Sequence, residues 1–66
     1  MWTEICKILN VNPDDSNPKW NPKNYQQIDL CKEKLKELLG NKKDAEEIIE
    51  MALVGELSIL KNKYPY

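Results

Sequence analysis

The sequence predicts an all-α fold: a small three-helix domain with a short N-terminal helix, an Asn-Pro-rich connection, and an antiparallel helical hairpin. Three observations predict it. Apolar residues recur at three- and four-residue spacing in three separate stretches, no stretch alternates as a strand would, and Asn, Gly and Pro punctuate the gaps. At 66 residues the chain is one domain, near the size where a single core barely offsets the entropy of folding. That narrow margin predicts help from self-association or from a partner surface.

The first helix is expected over about 2–11. Trp2, Ile5, Cys6 and Leu9 fall on one side at helical spacing, with Ile8 beside them and Thr3 as a candidate cap. It should end at the first Asn-Pro, because a residue before proline is pushed out of helical geometry.

The connection spans about 12–23 and holds three Asn-Pro pairs, at 12–13, 17–18 and 21–22. Asn12 can cap one helical turn with Pro13, Asp14 and Asp15 behind it, but Pro18 stops that turn from growing. The prolines stiffen the segment and lower the entropy lost on folding. Within it stands Trp20. It is expected either to fold back as a plug over the gap between helices or to be offered as a binding anchor, since Trp is enriched at interface hot spots.

The second helix is expected over about 24–39. Asn24 with Gln27 offers a start of the capping-box kind, and Gly40 a stop. Tyr25, Ile28, Cys31, Leu35, Leu38 and Leu39 form a stripe about 140° wide, with Leu30 alone on the wrong side.

Asn41 caps the third helix, which is expected to run over about 42–63 with Pro65 past its end. Such a helix would be about 33 Å long. Its apolar and small residues, Ala45, Ile48, Ile49, Met51, Ala52, Leu53, Gly55, Leu57, Ile59 and Leu60, occupy an arc of about 240°. One neighbouring helix cannot cover that width. Either the first two helices cover it together or part of it meets a second chain. Ile48, Ala52, Gly55 and Ile59 align along a track with a small middle, where a glycine costs a helix about 1 kcal/mol relative to Ala and so suggests close packing. Glu56 falls near the centre of the arc, where a carboxylate has to be paired or turned outward.

Composition narrows the function classes. The formal charge is −1, with ten lysines, no arginine and no histidine. Phosphate neutralisation and bidentate base reading both lose their usual agents, so nucleic acid is not the expected partner. A helical DNA-binding regulator using Lys32, Lys34, Lys36, Lys42 and Lys43 is the alternative in a different class. Two cysteines without histidine cannot close a zinc site alone, and Cys6 and Cys31 read as buried free thiols, with a disulfide between the first two helices as the rival. No metal and no cofactor is expected. No nucleophile motif or glycine-rich phosphate loop stands in the sequence, so the chain is not expected to be an enzyme. The absence of a long apolar run predicts a soluble, cytoplasmic protein with no membrane partner.

The segment ICKILNVNPDDS resembles the first helix and following turn of a J-domain. That family needs His-Pro-Asp after its second helix, where this chain reads GNKKD, so no function follows from the likeness. The leading expectation is a non-enzymatic protein–protein interaction module, a small regulator or inhibitor of a larger protein of the sort that phages and mobile elements carry. Its partner is another protein or a second copy of itself, as in a homo-oligomeric structural subunit. Trp20, Leu30, Ile48, Ala52, Gly55, Glu56 and Ile59 are the candidate contact residues.

Overall fold

A computed structural model describes residues 1–64, and Pro65, placed above past the last helix, lies outside them. The chain is all-α: α1 Trp2–Leu9, α2 Tyr25–Leu39, α3 Lys42–Leu53 and α4 Leu57–Lys63. Four helices replace the three expected, because the stretch 42–63 is broken at Val54, Gly55 and Glu56.

The first helix is shorter than 2–11. Asn10 adopts the left-handed conformation (φ 58°), and two backbone bonds close the helix end, from Val11 N to Cys6 O and from Asn10 N to Lys7 O. This is a Schellman motif with Asn in the usual glycine position, so the chain turns before the first proline is reached. Thr3 lies inside the helix, with Met1 at the cap position.

The ends of α2 follow from local chemistry. Asn24 Oδ1 accepts from Gln27 N at 2.8 Å, while Gln27 Oε1 reaches back to accept from Lys23 N at 2.6 Å, a capping box displaced by one residue. Gly40, at φ 69°, donates its N–H to Lys36 O and closes the other end. Asn41 then opens α3, its Oδ1 accepting from Lys43 N and its Nδ2 donating to Asp44. With only Gly40 and Asn41 between them, α2 and α3 pack as an antiparallel hairpin.

The break in the last helix is a second Schellman motif. Gly55 has φ 78°, Glu56 N donates to Met51 O at 2.9 Å and Gly55 N to Ala52 O at 3.2 Å. The reason lies in dimensions. A straight helix of about 33 Å would outrun a body whose extents are 27 × 25 × 17 Å. Turning at Gly55 lets α4 fold back, so that Leu57 and Leu60 enter the core.

One core joins all four helices and the connection: Trp2, Ile5, Cys6, Leu9, Trp20, Cys31, Leu35, Ala45, Ile48, Ile49, Ala52, Leu57 and Leu60. Pro18 is fully buried with them, and Trp2 Nε1 donates to Pro13 O at 3.4 Å. The connection is therefore an inner wall of the fold. Asn12 makes the single turn expected of it, accepting from Asp14 N through Oδ1 and from Asp15 N through its carbonyl. The accessible surface is 4505 Å², close to the roughly 4,400 Å² that a compact monomer of this mass presents. Among the described residues no helix is long and apolar enough to cross a membrane.

Candidate functional site

The candidate contact residues separate into three groups. Trp20, Ile48 and Ala52 are buried. Trp20 is seated in the core and shares a hollow with Leu9, Asn10 and Val11 at the end of α1, so it closes over the helices and is not offered to solvent. Ile48 and Ala52 face the core, and the track through them is internal packing rather than a free surface, because α4 turns back over α3 instead of extending it.

Gly55 and Glu56 form the turn. The carboxylate expected at the centre of an apolar arc is exposed, because the arc was that of a continuous helix and the break rotates Glu56 into water. A Cβ on Gly55 would meet only Lys19 Nζ, at 3.5 Å. The glycine therefore serves its positive φ, not a close helix approach. The Lys19 ammonium beside it stands at the C-terminal end of α3, where the helix dipole favours a cation.

Leu30 and Ile59 are exposed, at 55% and 54%. Neither lines the two hollows at the other exposed apolar residues. Those hollows lie at the open end of the α2–α3 hairpin. Pro22, Tyr25, Ile28 and Leu53 line a shallow hollow of about 370 Å³, and Met51, Leu53 and Val54 with Glu50 line another of about 380 Å³. Leu53 borders both.

Tyr25 is 85% exposed, Val54 68% and Leu53 51%. Tyr25 was expected on the packed stripe of α2. It sits at the stripe's edge in the first turn, where α3 has already ended and no helix remains to cover it. The same ending exposes Leu53 and Val54. A signal for all three existed in the hairpin itself, which sets the first turn of α2 against the last turn of α3.

The thiols are placed to be inert. Cys6 and Cys31 are both buried and unbridged. Burial pushes the Cys6 thiol up to about 11, against a smaller opposing pull from Lys61. Cys31 is raised by burial too, with Lys34 opposing, and its Sγ donates to Ile8 O at 3.6 Å. Neither is a thiolate at neutral pH. Among the described residues no three of His, Cys, Asp and Glu stand together as metal ligands would.

Around the hairpin turn the lysines are interleaved with acids. Lys42 Nζ is 3.9 Å from Glu46, and Lys32 shares a hollow with Glu46 and Glu50. Beyond Glu46 along α3, Lys63 Nζ donates to Glu47 at 2.6 Å, which raises the lysine's pKa.

No known protein family, no curated protein and no solved structure matches the chain, and the J-domain likeness gains no support.

Proposed function

We propose that the protein is a non-enzymatic interaction module, a small regulator or inhibitor that docks on a larger protein through the apolar surface at the open end of the α2–α3 hairpin. One observation carries the reading. Tyr25, Leu53 and Val54 are all exposed, and Leu53 borders both the hollow that Tyr25 lines with Pro22 and Ile28 and the one that Val54 lines with Met51. Scattered surface apolar residues are ordinary, whereas a contiguous set rimmed by polar groups such as Asn24 and Glu50 is what a protein partner covers. Tyrosine suits the centre of such a contact, because it supplies a large rigid face at little entropic loss.

The test compares affinity capture by the wild-type chain with capture by Tyr25→Ser and Val54→Ser variants. Both substitutions change exposed side chains and should alter stability by no more than about 0.5 kcal/mol. A protein held by the wild type and lost by both variants, yet kept by Leu30→Ser outside the surface, is the expected result. Retention should change little between low and high salt, whereas a phosphate-bound partner would be released. Capture unaffected by Tyr25→Ser and Val54→Ser would overturn the assignment.

A further inference from the structure

Of the six large apolar residues exposed among the described residues, Leu53, Val54 and Ile59 lie within four positions of Gly55. They cluster where the sequence pattern and the fold part company. On a continuous helix at 100° per residue, Leu53 and Ile59 join Ile48, Ile49, Ala52, Leu57 and Leu60 in one arc about 180° wide. In the broken form the first two are left outside the core.

We propose that α4 exchanges between two copies of this chain: 42–63 straightens into one helix, and α4 of each copy occupies the slot that α4 fills in the other. The occupant of that slot is fixed by what the slot already fits. Leu57 and Leu60, buried at 0% and 1%, and the Lys63–Glu47 ion pair are all restored in the exchanged dimer, copy to copy.

Length supports the exchange. The straight segment, about 33 Å long, exceeds the 27 Å longest extent of the body, so a straightened α4 has to leave its own core. The hinge is short, with only Val54, Gly55 and Glu56 between the two helices and no proline from Lys42 to Lys63. Short hinges of this kind invite element exchange, since straightening completes the helical hydrogen bonds across the turn. Straightening also brings Leu53 and Ile59 onto the face where the two long helices cross. Glu56 falls in the same arc, and Lys19 is the cation beside the hinge. The exchange requires no other protein, so it stands or falls separately from the docking surface.

Gly55→Ala tests it. Alanine loses the positive φ that the turn needs and gains helix preference, and a Cβ there meets only the flexible tip of Lys19. Together these favour the straight form by about 30-fold at each hinge, or about a thousand-fold for the two hinges of a dimer. Chains refolded at millimolar concentration and sized by chromatography with light scattering should show a minor dimer for the wild type and a dominant one for Gly55→Ala. Gly55→Asn, which tolerates the left-handed turn, should stay close to the wild-type level of dimer and far below Gly55→Ala. A helical, folded Gly55→Ala chain that remains monomeric would overturn the proposal.

A second measurement covers the case in which Gly55→Ala does not fold, and separates exchange from simple face-to-face pairing. Glu47→Lys and Lys63→Glu chains are refolded together at low salt and weighed by native mass spectrometry. Exchange restores opposite charges in both slots of the mixed dimer and in neither pure one, so the ratio of mixed to pure dimers should exceed the statistical ratio several-fold. A statistical mixture, or no dimer, counts against exchange.

Discussion

Raising the pH should unfold this protein through a thiol. Cys6 is fully buried between Trp2, Ile5 and Leu9 of α1 and the rest of the core, and its pKa rises from 9.0 to about 11 because burial disfavours the thiolate. A folded-state pKa above the unfolded one means that the unfolded chain releases its proton first. The folded state is therefore undisturbed below pH 9 and loses stability as the pH climbs from 9 to 11. Two units correspond to about 2 to 3 kcal/mol, a large part of what a domain of this size possesses. Cys31 and Tyr64, also raised by burial, and Lys63, raised by its bond to Glu47, push in the same direction.

The Cys6 share is isolated with Cys6→Ala. That variant should be less stable at pH 7.5, because a buried sulfur is removed and a small void is left. Its stability should then fall less steeply with pH, so that the gap to wild type closes by about 2 kcal/mol between pH 8 and 11. Urea unfolding under reducing conditions, followed by tryptophan fluorescence at each pH, measures this. Parallel alkaline losses in the two proteins would refute the reasoning and move the titration elsewhere.

Trp20 yields a paired expectation. Its Nε1 is buried without a hydrogen-bond partner, so Trp20→Phe should be neutral or stabilising, while Trp20→Ala should cost about 3 to 5 kcal/mol in chemical denaturation. Asn24→Ala should cost about 1 kcal/mol by the same assay, since it removes the acceptor of the Gln27 N–H at the start of α2. Lys63→Met should change stability little, and that difference should shrink in high salt, because the ion pair with Glu47 is half exposed.

Local chemistry was legible where one residue decides one terminus. Asn24 and Asn41 accept the hydrogen bonds their positions promised, and Gly40 turns the chain between α2 and α3. Gly55 was ambiguous, since a single glycine in an apolar run is compatible with a continuous helix and with a left-handed stop. The decision belongs to tertiary burial: Leu57 and Leu60 reach the core only if the chain reverses there. Asn10 gave its own signal, as Asn is the residue after Gly most tolerant of positive φ, but the proline three residues beyond it masked the earlier stop. Tyr25 and Leu53 were misplaced for a different reason. Periodicity assigns a residue to a face, and whether the edge of that face is covered depends on where the neighbouring helix ends.

The segment from Asn10 to Asn24 has no regular helix, yet it cannot be treated as slack. Trp2 holds it at Pro13, and Pro18 and Trp20 are set into the core on either side of Lys19. Two fixed points so close together define a span whose length is as constrained as that of a helix. Residues added between Pro18 and Trp20 would lift one anchor from its seat. Only the exposed stretch from Asp14 to Asn17 has room to grow. In engineering terms that corner is the place to graft a tag or an epitope, and the rest of the connection should be left at its natural length.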